Sequence, residues 1–227
     1  MINKIRKLSD WQISRMGKKF LEKNSFYYKG VLVDLGCGEK PYENFFLTYA
    51  DKYIGIDWSN TRHELKADII SNLNEKINLK DKYADTIVSL AVMEHLCEPQ
   101  QFLDESYRIL KPGGHFILQV PFQWWIHEGP YDYFRYTSYG LEYMLRKSGF
   151  EIINISPNGG FFTTIVLKIN YFTIRMFKLP KYLWIAWLII LVPFWTIGQV
   201  IAPLMDKLFD KDYNLETLGF SVVAKKT

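Results

Sequence analysis

Val31-Leu-Val-Asp-Leu-Gly-Cys-Gly38 constrains this chain more than any other segment, because an apolar run of strand length leads straight into a glycine turn. Glycine lacks a Cβ, so such a turn lets a ligand approach the main chain. An open parallel sheet uses this device to hold a ligand outside the carboxyl ends of its strands. Further strands are predicted at Tyr53–Ile56, Ala67–Ile70, Thr86–Leu90, His115–Val120 and Phe150–Ile155, with helices near Tyr42–Tyr49, Pro99–Leu110 and Ser138–Ser148. Lys111-Pro-Gly-Gly114 reads as a stop and turn, and Leu218–Ala224 as a last strand. Strands alternating with helices predict an α/β fold with a doubly wound, mostly parallel sheet.

The same segment selects among ligands. A dinucleotide fingerprint wants a third glycine where Pro41 stands, and Asp34 puts a carboxylate where a pyrophosphate would be repelled. Both features disfavour NAD. Asp57 closes the Tyr-Ile-Gly-Ile run 23 residues after Asp34, at about the spacing at which a carboxylate accepts hydrogen bonds from ribose hydroxyls.

Asp34-Leu-Gly-Cys-Gly38, Asp57, Ala67-Asp68-Ile69 and Ile87-Val-Ser-Leu-Ala-Val-Met-Glu-His95 follow the order seen in class I S-adenosylmethionine-dependent methyltransferases. Lys111-Pro-Gly-Gly114 is similar to the turn before their fifth strand, and Leu218–Lys225 to their closing antiparallel strand. The resemblance covers about residues 28 to 157. It implies a seven-stranded Rossmann-like sheet and S-adenosylmethionine as cofactor, whose sulfonium and ammonium charges suit an acidic residue, Asp34, beside the turn. It further implies that Gly36, Cys37 and Gly38 line the methionine portion. Asp57 and Trp58 would hold the ribose and cover the adenine, Asp68, next to Ile69, would accept from the adenine amino group, and Leu90 would close the pocket near the methyl donor. Taken on the residues alone, Asp57 and Asp68 also fit solvated strand-end carboxylates, and Cys37 a small filler, since nothing near it in sequence lowers its pKa. His95 fits a packing or hydrogen-bonding role after the fourth strand.

The segment Pro121-Phe-Gln-Trp-Trp-Ile-His127-Glu-Gly-Pro-Tyr-Asp132-Tyr-Phe-Arg135-Tyr136-Thr follows the fifth strand, where such sheets bind their substrates. Its His, Pro and Asp-Tyr-Phe-Arg-Tyr-Thr resemble a subgroup of these methyltransferases, the type 11 enzymes, associated with bacterial surface-glycan and lipid-linked sugar assembly. A hydroxyl acceptor needs a base, for which His127 is the candidate, with Asp132 orienting it or the substrate. The alternative is an Asp132–Arg135 pair that only fixes the loop. No metal site is expected.

At 227 residues one domain with an elaboration is the economical expectation: a basic amphipathic helix within residues 1–29, then a methyltransferase domain over 30–227. Residues 1 to 30 hold eight Lys or Arg against Asp10 and Glu22. Two cysteines, Cys37 and Cys97, and no N-terminal apolar segment with a cleavage site predict a reducing, cytoplasmic setting. The Asn-Pro-Pro-Tyr motif of base-methylating enzymes is absent after the fourth strand, so nucleic acid is not the expected partner.

An insertion at about residues 158–214 is far more apolar than the rest. Tyr182 to Met205 is a run of 24 uncharged residues, long enough to cross a bilayer as one straight helix. Pro193, Gly198 and Pro203 argue against one straight helix. Strands six and seven must share one sheet, so the insertion must leave and return on one side, and a single crossing is excluded. A shallow or re-entrant hairpin is predicted, formed with Phe161–Phe177 and flanked by Lys178, Lys181, Lys207 and Lys211. It would rest on the inner face of the cytoplasmic membrane; the alternatives are a homodimer interface or a lid over the acceptor site.

Overall fold

The structure, a computed structural model, describes residues 2–60, 64–176, 181–209 and 215–227. In chain order it runs α1 (Ile2–Lys23), β1 (Val31–Leu35), α2 (Glu43–Phe46), β2 (Lys52–Asp57), β3 (Ile69–Ile70), β4 (Ala84–Leu90) and α3 (Pro99–Ile109). It continues with β5 (Leu110–Pro121), α4 (Ser138–Lys147), β6 (Phe150–Pro157), α5 (Phe161–Met176), α6 (Lys181–Phe209) and β7 (Gly219–Lys226). Two compact units result: an α/β unit of residues 22–156 and 219–227, and a helical unit of residues 1–21 and 157–218. The N-terminal helix thus groups with the insertion.

The α/β unit is built on one seven-stranded sheet of order β3-β2-β1-β4-β5-β7-β6. β1 to β5 pair in parallel, and β7 runs antiparallel to β5. This is the doubly wound, mostly parallel fold expected from the sequence. The chain winds outward in both directions from β1 and β4, so the loops after these strands diverge and open a crevice at their carboxyl ends. β1 and β4 are buried on both faces, as their apolar sequences require.

Local chemistry sets the helix limits. Pro99 starts α3, and Phe102, Leu103, Ser106 and Ile109 give it one buried face. Thr137 caps α4 by accepting from the Gly140 N–H at 3.1 Å, and Arg146 and Lys147 occupy its last turn. Both helices deliver apolar side chains, including Leu141 and Leu145, to a core with Ile87, Phe116 and Phe150. The expected turn at Lys111–Gly114 lies inside β5: β4 advances from Ala84 to Thr86 while β5 advances from Leu110 to His115. Gly113, at φ +77°, allows this excursion without breaking the strand.

The helical unit is organised differently. α5 and α6 lie antiparallel: Trp195 donates to Thr173 at 3.0 Å, and Asp206 accepts from the Phe162 N–H at 2.7 Å. α1 is interrupted at Asp10, where the main chain leaves the helical region. Side chains of the hairpin meet the interruption. Asn170 donates to the Ser9 carbonyl, Gln199 donates to the Leu8 carbonyl and accepts from the Gln12 N–H, and Tyr171 donates to Asp10. α6 continues through Pro193 and Pro203 as one 29-residue helix. Proline removes one hydrogen bond and crowds the preceding turn, but long neighbouring runs of helix hold it in register. The expected hairpin partnership with α5 is present, while Lys178 and Lys211 lie outside the described residues.

Candidate active site

A cavity of about 450 Å³ opens at the carboxyl ends of β1, β2, β4 and β5, within the span of small-molecule sites. Gly36, Cys37 and Gly38 form one wall, Asp57 and Trp58 a second, and Leu90, Ala91 and Val92 a third. Gly36 sits at φ +81°, and a Cβ there would meet Val92 at 2.3 Å. Gly38 sits at φ +53° with nothing within 4 Å of where a Cβ would be, so the turn offers open space. Ala91, a non-glycine at φ +56°, marks strain on the opposite wall.

Asp57 locks this arrangement. Its Oδ2 accepts from the Gly38 N–H at 2.7 Å and its Oδ1 from the Trp58 N–H at 2.8 Å. Each carboxylate oxygen has a second lone pair, so hydroxyls inside the cavity can still be bound. Trp58 meets Tyr131 edge-on, ring centres 5.0 Å apart, so the loop after β5 covers this end. A ligand with a ribose, a flat base and a compact polar tail fits these walls.

Two expected contributors stand behind the walls. Asp34 is buried beneath the turn, where it accepts from the Tyr53 hydroxyl at 2.6 Å. Burial raises its pKa to about 7, the tyrosine hydrogen bond opposing. Asp68 and its neighbour Ile69 do not line the cavity. The Asp68 oxygens instead take the Gly55 N–H and the Lys40 ammonium, each at 2.7 Å, and fix the β2 backbone. Asn72, Leu73 and Asn74, which the sequence did not single out, line the cavity beyond β3. Burial pushes the Cys37 thiol up to about 12, in keeping with a filler of the turn.

The loop after β5 is held by Asp132. Arg135 donates to both of its oxygens, at 2.6 and 2.7 Å, and the His127 N–H donates at 2.8 Å. Burial works against ionisation, but the Arg135 guanidinium and the His127 N–H outweigh it and hold the carboxyl at about 2. Asp132 hydrogen-bonds the His127 main chain and its Oδ2 also lies 3.5 Å from the ring nitrogen Nδ1, which is 3.2 Å from the Trp125 carbonyl. The Asp132–Arg135 pair secures the loop and leaves the Asp132 carboxylate beside the His127 ring.

His127 does not line the cavity, whereas His95 does. His95 Nδ1 lies 2.8 Å from the Tyr131 carbonyl, the hydrogen bond expected of it, and its ring centre is 4.8 Å from that of His127. Glu94, fully buried, faces both rings. Burial raises its pKa to about 8, and burial followed by the nearby His95 lowers that of His127. In the sequence Glu94 stands inside the Ile87–His95 motif without a role of its own; its burial beside two imidazoles is visible only in the fold.

The geometry defines a class, and comparison with known proteins agrees. Residues 33–118 match the family described as "Methyltransferase domain", and the relatives this segment resembles are S-adenosylmethionine-dependent methyltransferases. A probable S-adenosylmethionine-dependent methyltransferase of Mycolicibacterium smegmatis is 28% identical over 133 residues, 53% of this chain and 52% of that protein. The mitochondrial ubiquinone biosynthesis O-methyltransferase of Dictyostelium discoideum is 28% identical over 110 residues, 39% of this chain and 34% of its own length. The chain thus spans about half or less of these curated relatives. A solved S-adenosylmethionine-dependent methyltransferase from Archaeoglobus fulgidus shares the fold at TM-score 0.59 and 18% identity, covering 93% of this chain and 94% of that one.

Proposed function

We propose that this chain transfers a methyl group from S-adenosylmethionine to a hydroxyl of a small-molecule or lipid-linked acceptor at the cytoplasmic face of a membrane. The observation that carries the transfer is the cavity at the strand ends, with its open glycine turn, the Asp57 carboxylate and the Trp58–Tyr131 cover. S-adenosylmethionine supplies a methyl group already activated on a sulfonium. The protein therefore has to position the acceptor and dispose of its proton. Gly36 to Gly38 and Asp57 bind the cofactor in this proposal, Leu90 walls its methyl end, and Asp34 supports the turn from below.

The acceptor enters beside the loop after β5, where His95 borders the cavity and Glu94 and His127 stand behind it. This cluster replaces His127 alone as the group that deals with the hydroxyl proton. A hydroxyl acceptor agrees with the O-methyltransferase named among the relatives, and the loop's His, Pro and Asp-Tyr-Phe-Arg-Tyr-Thr favour the type 11 subgroup linked to glycan and lipid-linked sugar assembly.

The helical unit supports the membrane setting. Trp187–Phe209 is long and apolar enough to cross a bilayer by length and composition, and 22% of its most apolar stretch is buried. β6 and β7 belong to one sheet, so both ends of the insertion return to the same side. An in-plane or re-entrant seat satisfies both facts. Arg15, Lys18 and Lys19 of α1 add attraction of about 1 kcal/mol each near an anionic surface.

Two experiments test the proposal. Incubation with methyl-labelled cofactor and a membrane extract should yield a labelled lipid or sugar; cofactor binding without any labelled product would instead favour an idle binding module. Flotation with anionic vesicles should retain part of the protein at high salt, because apolar insertion resists screening. A chain that stays monodisperse without detergent and fails to float would turn the apolar face into a homodimer contact or a lid.

A further inference from the structure

Glu94 is the most anomalous side chain of the α/β unit. It is fully buried, and neither carboxylate oxygen has a hydrogen-bond partner. A buried carboxylate without partners is costly, and natural structures leave such a group only where something else meets it. What faces it are two imidazole nitrogens: Glu94 Oε1 lies 3.7 Å from His95 Nε2 and 3.9 Å from His127 Nε2. These distances are too long for a direct hydrogen bond and too short for a water between. One ligand atom from each of the three side chains lies within 4.8 Å of the others.

The far side of each ring explains why the near nitrogens are free. His95 Nδ1 lies 2.8 Å from the Tyr131 carbonyl and His127 Nδ1 lies 3.2 Å from the Trp125 carbonyl. A carbonyl can only accept, so both Nδ1 atoms carry the proton and both Nε2 lone pairs point toward Glu94. An imidazole whose outer N–H is anchored on a carbonyl while its inner nitrogen faces a carboxylate is the usual arrangement around a bound metal. With bonds of about 2.1 Å, ligand atoms 3.7 Å apart subtend roughly 120° at a shared ion. The ligand atoms span up to 4.8 Å, and tetrahedral bonds of this length place ligand atoms about 3.4 Å apart, so the widest pair would have to close by roughly 1 Å on binding.

We propose that Glu94, His95 and His127 form a divalent-cation site of the zinc type, with three protein ligands and a remaining position on the His95 side, toward the cavity. Two imidazoles and one carboxylate suit zinc and its first-row neighbours rather than calcium or magnesium, which take oxygen ligands. Arg135 does not compete for Glu94, because both oxygens of Asp132 engage its guanidinium. Resting on the hydroxyl-acceptor reading above, the ion would bind the acceptor oxygen and lower its pKa, as zinc does for water. The O–H proton leaves to solvent; the oxygen lone pair forms the new bond to the methyl carbon as the methyl–sulfur bond breaks, and the sulfur keeps that electron pair.

The test is a binding measurement on the full chain. After exposure to zinc chloride and desalting, wild type should retain about one zinc per chain, and cobalt(II) in its place should give visible ligand-field bands of nitrogen and oxygen donors. Glu94→Gln and His127→Asn should each weaken zinc binding by about a hundredfold or more while S-adenosylmethionine still binds. Should either variant fail to fold, anomalous scattering at the zinc edge from wild-type crystals should place the ion between the three side chains. Less than about a tenth of an equivalent of zinc on wild type, unchanged affinity in folded variants, or an anomalous peak elsewhere would overturn the proposal. Cofactor titration of the same samples keeps the two readings apart: zinc bound without cofactor binding sinks the methyltransferase reading and leaves the metal site standing.

Discussion

The α/β unit and the helical unit differ in what they leave exposed and in how much polar surface they bury. In the first, Leu32, Val33, Ile87, Phe116, Ile117 and Leu118 are fully buried in and around the central strands. In the second, the buried set includes Ser9, Gln12, Thr163, Asn170, Gln199 and Asp206, while Ile189, Phe194, Ile197, Leu204 and Leu208 face outward. Water drives the first pattern, because burial of apolar area stabilises it by about 25 cal/mol per Å². The second pattern would suit the proposed membrane setting, where no water satisfies polar groups outside and they turn inward to pair with one another. Trp195 combines both demands, with its ring fully buried and its N–H donated to Thr173.

This contrast can be broken by substitution. Phe116→Ala should cost the α/β unit about 3–5 kcal/mol, since it empties a closed core, as read from denaturant midpoints. A loss below about 1 kcal/mol would mean that this core is not tightly packed.

The next effect is electrostatic. Asp34 has a folded-state pKa near 7, above its unfolded value, so its protonated form stabilises the fold. That stability is complete below about pH 4 and is lost as pH rises through 7, by roughly 2–4 kcal/mol over the window. Asp34→Asn should flatten the melting temperature against pH relative to wild type; parallel curves would contradict the assigned burial.

In the helical unit a polar truncation should matter most. Asp206 accepts from the N–H groups of Gly160, Phe162 and Thr163 at the start of α5. Asp206→Ala should cost about 1–3 kcal/mol, with faster amide exchange over those residues. The smallest change should follow Phe194→Ser on the exposed face, within about 0.5 kcal/mol in water, although vesicle flotation should weaken. A loss comparable to that of Phe116→Ala would show Phe194 to be core.

The strands were legible because β1, β4 and β5 each bury an apolar run that no helix period fits. The cavity's Gly36, Gly38, Asp57, Trp58 and Leu90 were legible because turn chemistry and strand-end spacing are local. The Asp68 placement was not, since the competing partner, Lys40, is 28 residues away in sequence. Nor was the Glu94–His95–His127 cluster, because the fold alone brings the loop after β5 back over the end of β4. That α6 stays helical through Pro193 and Pro203 was not legible either, because a local helix-breaking rule yields when long runs of helix flank the proline.

Calorimetric titration with S-adenosylmethionine tests the central claim most directly. Wild type should bind, and Asp57→Ala should weaken binding by roughly 1.5–3 kcal/mol, about ten- to a hundredfold, because a charged acceptor for the ribose hydroxyls and the anchor of the Gly38 N–H are lost together. No binding by wild type, or wild-type affinity in the variant, would contradict the account.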